Sequence, residues 1–369
     1  MTRTNRPSRS EMARRKKIRK RRRRIRNAIF YSLVFLLIFI TGYYIYQRSL
    51  ELKNTKKKTT KNQETTKVLE EVSTLPEEET TQAPVATTEV LPNLGADLRG
   101  IQYSTDPDAN FNEDLVASSA ILVDVTNGTI LYEKDAYTKL APASTTKLLT
   151  ALIALRYLDP DQEIKVGKEI NLIAEDSSTA NLEIGDKLTV RELIQGLLMS
   201  SGNDAAYVLA VNTSRSIMGR MSVKKAAALF VDIMNNNVSR MGLEYSHFAT
   251  PDGYDAEDQY TCAHDLAVIA NQALENEVIL EAVSTYTQYM EKIDETWTST
   301  DQLLNPYSDY YMEEAIGLKT GSTTSAGKCF VGAAKDSTNT VVSVVLGSDE
   351  PGRWTDSRAL LSYGLAYDE

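Results

Sequence analysis

The amino-acid sequence predicts an α+β fold: an antiparallel sheet flanked by helices, with an additional helical block. Three features indicate it. They are a hairpin pattern before residue 135, helical patterns between residues 147 and 274, and strand patterns with a closing helix after residue 315. Strands and helices that occur in separate runs are typical of α+β proteins, in which helices cover an antiparallel sheet.

The predicted hairpin opens the globular part near Ser118. Residues 120–125 and 129–132 are apolar runs, and Asn127-Gly128 lies between them. Asn-Gly between two such runs is a strong hairpin signal, because both residues tolerate the positive φ angles of a tight turn. We therefore predict two adjacent antiparallel strands here.

The middle of the chain carries helix signals. Thr189 and Glu192 fit a capping box at the start of one helix. Asp204 is predicted to cap the next helix, and Gly242 to end a later one. The predicted elements are, in order, a helix at 147–158 after Pro142, a turn-rich stretch at 164–188, helices at 193–199 and 222–241, a loop at 247–253, a helix at 263–274, strands at 316–319, 328–334 and 340–346, and a helix at 353–367.

Ser144 and Lys147 stand at the start of the first predicted helix. Its residues at 147–158 are apolar nearly all round, so we expect the helix to be buried. Residues three apart lie on one face of a helix, which places Ser144 about a turn from Lys147. A hydroxyl beside a lysine with a depressed pKa is an activated nucleophile. The alternative is an N-cap serine followed by a lysine that reaches solvent.

Two further motifs favour the catalytic interpretation. S-G-N at 201–203 lies between two helix-like runs, and K-T-G at 319–321 follows apolar strand residues. The order S-x-x-K, S-x-N and K-T-G is the signature of penicillin-binding proteins and class A β-lactamases. All three occur here in that order, 57 and 118 residues apart. Taken singly, Ser201 and Asn203 could be turn formers, and Lys319 a charge at a strand end.

The residues around the motifs extend the match. The stretches 142–147 (P-A-S-T-T-K), 197–206 (L-L-M-S-S-G-N-D-A-A) and 319–329 (K-T-G-S-T-T-S-A-G-K-C) resemble the serine D-alanyl-D-alanine carboxypeptidases, the low-molecular-mass penicillin-binding proteins. The resemblance covers roughly Ser118 to the C-terminus. It implies the penicillin-binding protein/β-lactamase-like fold, a peptidoglycan stem peptide ending in D-Ala-D-Ala as substrate, and β-lactam antibiotics as inhibitors.

The resemblance also implies how the reaction is catalysed. Ser144 attacks the scissile carbonyl, Lys147 takes its proton, and Ser201 relays a proton to the leaving D-alanine. The oxyanion hole consists of the backbone N–H groups of Ser144 and Ser322. We expect the like charge of Lys319 to help depress the pKa of Lys147.

Substrate contacts are implied for the other motif residues. Asn203 hydrogen-bonds the substrate amide, while Lys319 and Thr320 hold the terminal carboxylate. Gly321 lets the substrate backbone approach the strand edge closely.

Two stretches depart from the family pattern. The family's H-F-x-N-P-x-G-L appears at 247–254 with Thr250 for Asn and Tyr254 for Leu. A relative's N-T-N-x-L-L appears at 299–304 as S-T-D-Q-L-L, with Asp301 at the second Asn position. These departures bear on loop geometry and substrate preference.

Three other functions stay open as alternatives. A class A β-lactamase needs a deacylating glutamate, and no E-x-x-L-N occurs between Asn203 and Lys319. A D,D-endopeptidase or transpeptidase keeps the same site and uses another substrate or acceptor. A non-catalytic wall-binding module would not need Ser144, Lys147 and Ser201 intact.

Charge is distributed unevenly along the chain. The 369 residues carry a net charge of −9, but residues 1–46 hold 14 Lys and Arg and a single acidic residue. The basic cluster precedes an uncharged run at 28–46, which as a helix spans about 28 Å, close to one hydrocarbon core. This predicts a cytoplasmic tail (1–27) and a transmembrane helix (28–46) that anchors the protein in the lipid bilayer.

Residues 47–110 are rich in Thr, Lys, Glu and Pro and predict a disordered stalk, followed by an extracytoplasmic catalytic domain at 111–369. The alternative of a cleaved signal peptide lacks a good cleavage site near residues 41–46. A basic tail can bind nucleic acid, but directly before a membrane span it favours a topogenic role, so no nucleic-acid partner is predicted.

Cysteine and histidine usage predicts neither a metal nor a cofactor. Cys262 and Cys329 are too few for a disulfide framework, and we expect two unpaired, buried thiols, although one bridge is possible outside the cytoplasm. His247 and His264 are isolated, and no C-x-x-C or H-x-x-x-H spacing occurs.

Overall fold

The computed structural model describes residues 100–106 and 108–367. Within this part the chain forms seven α-helices, ten strands, and 3₁₀ helices at Ala143–Thr146 and Lys168–Leu172. The α-helices are α1 (Lys147–Tyr157), α2 (Val190–Leu198), α3 (Asn203–Met218), α4 (Val223–Arg240), α5 (Ala263–Leu274), α6 (Glu277–Ser284) and α7 (Glu350–Ala366). The strands are β1 (Ser104–Thr105), β2 (Ser119–Asp124), β3 (Thr129–Lys134), β4 (Glu163–Lys165), β5 (Lys187–Thr189), β6 (Thr287–Met290), β7 (Glu295–Thr298), β8 (Ala315–Thr323), β9 (Gly327–Lys335) and β10 (Thr340–Ser348).

Six strands form the main sheet, in the order β1-β3-β2-β10-β9-β8. Neighbouring strands are antiparallel except for β1 and β3, which are parallel. Strand β2 from the predicted hairpin pairs with β10, where Ile121 lies opposite Val344. The predicted α+β fold is therefore confirmed, and the two ends of the described part share one sheet. Strand β8, which carries K-T-G, lies at an edge of this sheet.

The sheet separates two apolar layers. Ile121 and Val123 of β2 belong to the core on the side of the helical block, whereas Leu122 packs on the other side with Phe330 and Trp354. Successive side chains of a strand point to opposite faces, so a strand covered on both faces reads as a continuous apolar run. Because β2 is covered by an apolar layer on each face, residues 120–123 are all apolar.

Helix α1 is buried inside the helical block. Its residues from Lys147 to Ala154 are all buried, and it contacts α2, α3, α4 and α5. A helix surrounded by other helices has no face that favours polar side chains. The prediction of a buried helix is confirmed, and its first residue, Lys147, is enclosed with it.

Local capping signals are confirmed at two of three predicted places. Thr189 Oγ1 accepts from the backbone N–H of Glu192, whose side chain accepts from the backbone N–H of Thr189. Gly242, at φ +73°, follows the end of α4. The prediction that Asp204 caps α3 is wrong. The N-cap is Gly202, and the Asp204 carboxylate accepts from the backbone N–H groups of Ala180 and Leu182, in the loop before β5, and from that of Ala205.

The sequence did not predict α6 or the β6–β7 hairpin. Three of the four residues of β6 are exposed, so this strand has almost no apolar periodicity. Only two residues separate the end of α5 from the start of α6, and the second of them, Asn276, is the N-cap of α6. Both elements depend on tertiary packing, which a single sequence does not display.

The packed part of the chain begins before the predicted boundary at residue 111. Strand β1 pairs with β3, and the Tyr103 hydroxyl donates to the carbonyl oxygen of Ala267 at 3.4 Å. Residues 103–105 therefore pack on the domain, whereas the sequence predicted that they belong to a disordered stalk. The rest of that stalk, the predicted transmembrane helix and the basic tail lie outside the described residues. No helix in the described part has the length and apolar character needed to cross a membrane.

The two cysteines and two histidines make contacts within the fold. Cys262 and Cys329 are both buried and unpaired, as predicted. His247 Nδ1 lies 2.6 Å from a backbone carbonyl oxygen, and the His264 ring stacks on the ring of Tyr137.

Candidate active site

Ser144 and Lys147 meet at the start of α1. Ser144 lies in the 3₁₀ helix Ala143–Thr146, and Lys147 is the first residue of the α-helix. The Nζ atom of Lys147 lies 2.7 Å from Ser144 Oγ and donates to the carbonyl oxygen of Asp252 at 2.6 Å. Lys147 is fully buried, whereas Ser144 is partly exposed. A water-excluded amine thus contacts a hydroxyl that a ligand can reach.

Burial changes the acidity of this lysine. It lowers the pKa of Lys147 to about 8, although the charges of Asp252 and Asp204 act in the opposite direction. An interior that hydrates charge poorly favours the neutral amine. The cause is therefore burial rather than the predicted charge of Lys319. Repulsion between the two ammonium groups adds instead to the lowering of the pKa of Lys319.

Two glycines allow other segments to approach the nucleophile closely. Gly253 has φ +80°, and a Cβ atom there would clash with the carbonyl oxygen of Ala143. A Cβ atom at Gly321 would lie 3.0 Å from Ala143 Cβ and 3.1 Å from Pro142 O. Gly321 therefore brings β8 against the residues before Ser144. This packing role differs from the predicted one of admitting the substrate backbone.

The S-G-N motif forms the turn between α2 and α3. Ser201 is buried with φ +54°, and its carbonyl oxygen accepts from Ser178 Oγ at 2.6 Å. Asn203 donates through Nδ2 to Ser177 Oγ at 2.9 Å. The Oδ1 atom of Asn203 is buried and has no hydrogen-bond partner among the described residues. A buried acceptor without a partner is unfavourable, so Asn203 offers this oxygen to a ligand donor.

The K-T-G motif lies buried on β8. Lys319 Nζ donates to the carbonyl oxygen of Thr320 at 3.1 Å, and Thr320 Oγ1 lies 2.5 Å from Thr300 Oγ1. Burial lowers the pKa of Lys319 well below its usual value, and the positive charges of Lys147 and Arg353 add to this effect. A negatively charged ligand beside Lys319 would favour its protonated form.

A cavity of about 170 Å³ opens beside the nucleophile. Three predicted site residues line it: Ser144, Asn203 and Ser322. The other predicted site residues are not on its surface: Lys147, Ser201, Lys319, Thr320 and Gly321. Lys147 is connected to the cavity by its hydrogen bond with the Ser144 hydroxyl. A larger cavity of about 790 Å³, beside Phe111 and Tyr363, contains no residue of the three motifs.

Two hydrogen bonds at the cavity wall were missed by the sequence analysis. The Tyr254 hydroxyl donates to Asp176 Oδ1 at 2.9 Å, and Thr323 Oγ1 donates to Asp255 Oδ1 at 2.6 Å. All four residues line the cavity. The only available signal was Tyr254 itself, which stands where the family pattern has leucine.

A second cation beside K-T-G was also missed. Arg353 of α7 is 8% exposed and donates to the carbonyl oxygen of Gly321 at 3.4 Å and to Glu350 at 2.7 Å. The sequence placed Arg353 at the start of the closing helix. Nothing in that pattern indicated that its side chain reaches β8.

Sequence comparisons place this fold and site in a known family. The family model of D-alanyl-D-alanine carboxypeptidases, peptidase family S11, matches residues 104–350. A D-alanyl-D-alanine carboxypeptidase of Streptomyces sp. (strain K15) is 34% identical over 252 residues, which are 65% of this chain and 84% of that protein. DacD, a D-alanyl-D-alanine carboxypeptidase of Escherichia coli K12, is 33% identical over 262 residues, which are 68% of this chain and 63% of that protein.

Solved structures agree with the sequence comparisons. The crystal structure of the Streptomyces K15 DD-transpeptidase superposes with a TM-score of 0.63 at 32% identity, covering 70% of this chain and 100% of that one. Penicillin-binding protein 6B of Escherichia coli superposes with a TM-score of 0.63 at 29% identity, covering 72% of this chain and 82% of that one. The family match spans about two thirds of the sequence. The chain therefore belongs to the D-alanyl-D-alanine carboxypeptidase family and has the penicillin-binding protein fold.

Proposed function

We propose that this protein is a serine D,D-carboxypeptidase that removes the terminal D-alanine from peptidoglycan stem pentapeptides. The observation that carries the proposal is the 2.7 Å contact between the buried amine of Lys147 and the accessible hydroxyl of Ser144. A nucleophile within hydrogen-bond reach of a base whose pKa is close to the working pH is suited to acyl transfer.

Acylation starts at Ser144. Neutral Lys147 accepts the hydroxyl proton while Oγ forms a bond to the carbonyl carbon of the penultimate D-alanine. The backbone N–H groups of Ser144 and Ser322 stabilise the resulting oxyanion. When this intermediate collapses, the C–N bond breaks, and the proton held by Lys147 passes through Ser201 to the leaving nitrogen of D-alanine.

Deacylation repeats these steps with water. Lys147, neutral again, takes a proton from a water molecule whose oxygen attacks the ester carbonyl carbon. The bond from this carbon to Oγ of Ser144 breaks, and Oγ recovers a proton from Lys147. The products are the shortened peptide and the free enzyme.

Three groups of contacts hold the substrate. The unpartnered Oδ1 of Asn203 accepts from the amide N–H of the acyl donor. Strand β8, at the edge of the described sheet, offers backbone groups to an extended peptide, as an added strand would use them. The terminal carboxylate is bound by the positive charges of Lys319 and Arg353 and by the hydroxyl donor of Thr320.

Release of D-alanine from a stem-pentapeptide analogue tests this proposal. We expect the full chain, purified in a mild detergent, to release one D-alanine per peptide. Ser144→Ala should release none. Ser216→Ala on α3, whose hydroxyl donates to a helix carbonyl oxygen, is the control and should match the unchanged protein. A protein that binds the peptide without releasing D-alanine would support a non-catalytic wall-binding module instead.

Transpeptidation is the second candidate function. The superposed Streptomyces K15 structure is that of a DD-transpeptidase, although the K15 relative found by sequence is called a carboxypeptidase. Both reactions use the same acyl-enzyme and differ in whether water or an amine attacks it. With an added amine acceptor, carboxypeptidation predicts mainly the hydrolysed peptide, whereas transpeptidation predicts mainly the aminolysis product.

We also propose that residues 28–46 anchor the catalytic domain outside the cytoplasm. The support is the uncharged run after a basic cluster. A reporter fused after Glu369 should be active only outside the cytoplasm, and the protein should stay with membranes after carbonate washing. Cytoplasmic reporter activity would contradict this topology, and soluble mature protein in the medium would indicate cleavage.

A further inference from the structure

One wall of the cavity beside the nucleophile is the loop that precedes β5. Ser177 Oγ accepts from Asn203 Nδ2 at 2.9 Å, and Ser178 Oγ donates to the carbonyl oxygen of Ser201 at 2.6 Å. Both serines line the cavity together with Asn203. This loop therefore holds the S-G-N motif in place at the edge of the cavity.

The residue before these serines hydrogen-bonds the opposite wall. Asp176 Oδ1 accepts from the Tyr254 hydroxyl at 2.9 Å, and both residues line the cavity. The backbone of Tyr254 is also fixed, because its N–H donates to Asp252 Oδ1 at 3.1 Å and its carbonyl oxygen accepts from Gln259 Nε2 at 2.7 Å. The tyrosine is therefore held at its backbone and at its hydroxyl, although its side chain lies at the surface, 36% exposed.

Asp255 joins the same segment to the third wall, which follows K-T-G on β8. Its Oδ1 atom accepts from Thr323 Oγ1 at 2.6 Å, and its Oδ2 atom accepts from the backbone N–H of Ser325 at 3.2 Å. Gly253, at the start of the segment, packs against the carbonyl oxygen of Ala143. The segment 253–255 thus lies against the start of the nucleophile's helix and is hydrogen-bonded to both other walls of the cavity.

The cavity receives the acyl side of the substrate. Asn203, proposed to accept from the amide N–H of the acyl donor, lies on its surface, whereas Lys319 and Thr320, proposed to bind the terminal carboxylate, do not. Small-molecule pockets commonly measure about 300–1,000 Å³, and this cavity measures about 170 Å³. Little space therefore remains for a bulky group on the acyl donor beside Tyr254 and Asp176.

We propose that the hydrogen bond between Tyr254 and Asp176 determines specificity: it closes the cavity on the acyl side and restricts the enzyme to unbranched stem peptides. The inference rests on the proposed function, because it names the substrates that this site accepts. A bulky substituent on the residue before D-Ala-D-Ala would have to displace the Tyr254 ring and break this bond. Leucine, which the family pattern has at the position of Tyr254, cannot form it.

Two penicillins that differ only in their amide side chain, a compact acetyl group or a bulky naphthoyl group, measure this restriction. The side chain is attached next to the reactive carbonyl, so it enters the cavity on the acyl side. The quantity compared is the acylation rate of the bulky compound divided by that of the compact one. We expect this ratio to rise about tenfold in Tyr254→Phe, which keeps the ring and removes the hydroxyl. The ratio of kcat/KM for a branched over an unbranched pentapeptide should rise likewise.

Variants of the acceptor separate the hydrogen bond from a general loss of structure. Asp176→Ala should raise the penicillin ratio as Tyr254→Phe does, whereas Asp176→Asn, whose Oδ1 can still accept from the Tyr254 hydroxyl, should keep the original ratio. Tyr254→Phe combined with Asp176→Ala should raise the ratio no further than either change alone, because both remove the same bond. Tyr307→Phe, at a tyrosine that is 91% exposed, is the control and should leave both acylation rates unchanged.

Each outcome decides between these possibilities. An unchanged ratio in Tyr254→Phe or in Asp176→Ala would overturn the proposal. An equal rise in Asp176→Asn and Asp176→Ala would overturn it too, because the charge of Asp176 rather than the hydrogen bond would then set the preference. Normal penicillin labelling without D-alanine release by the unchanged protein would contradict the proposed function alone, since the penicillin ratio would still report on the cavity. Absence of labelling by both penicillins would overturn both proposals.

Discussion

The Nζ atom of Lys147 lies 2.7 Å from Oγ of Ser144, and the lysine is fully buried while the serine is partly exposed. If Lys147 is the base, Lys147→Arg should reduce acylation by a β-lactam at least a thousandfold, because a guanidinium group does not lose its proton in a protein. The measurement is the second-order rate of acylation, followed by intact mass.

An exposed lysine provides the control for that variant. Lys187 pairs with Glu163 on the surface, so Lys187→Arg should acylate at the normal rate. Normal acylation by Lys147→Arg, with thermal unfolding unchanged, would show that Ser144 is activated by another group.

Acylation should depend on pH through Lys147. Burial lowers the pKa of this lysine to about 8. Below that value the amine is protonated and cannot act as a base, so the rate should rise about tenfold per pH unit and level off near pH 8. A rate that is constant from about pH 6 to about pH 8 would contradict a titrating base.

Gly253 should be intolerant of a side chain. Its φ is +80°, and a Cβ atom would clash with the carbonyl oxygen of Ala143, next to the nucleophile. Gly219 has nearly the same φ, +78°, but a Cβ atom there would meet nothing within 4 Å. With ψ −164° it lies in a backbone region that only glycine adopts readily, so Gly219→Ala should lower the free energy of unfolding by about 1–3 kcal/mol with normal acylation.

Gly253→Ala should combine that backbone penalty with displacement of the 3₁₀ helix that carries Ser144. We expect a larger loss of stability than in Gly219→Ala and a loss of acylation of at least a hundredfold, measured by thermal unfolding and by β-lactam labelling. Equal effects of the two substitutions would mean that close packing at Gly253 does not position the nucleophile.

Local patterns predicted much of this fold. The Asn127-Gly128 turn, the capping box at Thr189 and the apolar surface of α1 each act within a few residues of sequence, and the structure confirms all three. The S-x-x-K motif then identified Ser144 and Lys147 as a pair, because two side chains three residues apart lie on the same face of a helix.

Long-range contacts could not be predicted in the same way. Arg353 reaches Gly321 from α7, and Asp204 holds the loop at Ala180 instead of capping its own helix. Gly321 was predicted only to admit the substrate backbone, and its close packing against Ala143 was not predicted. Each of these depends on which segments pack together, and a single sequence does not contain that information.

The central claim is that Ser144 is the nucleophile, and β-lactam labelling tests it most directly. A β-lactam presents a reactive carbonyl and a carboxylate, and its leaving nitrogen stays tethered after ring opening, so the acyl-enzyme should persist for minutes or longer. Intact mass spectrometry of the full chain with penicillin should show one adduct, mapped to Ser144. The adduct should be absent in Ser144→Ala and present in Ser216→Ala. An adduct that survives Ser144→Ala, or rapid penicillin turnover without any adduct, would contradict the account.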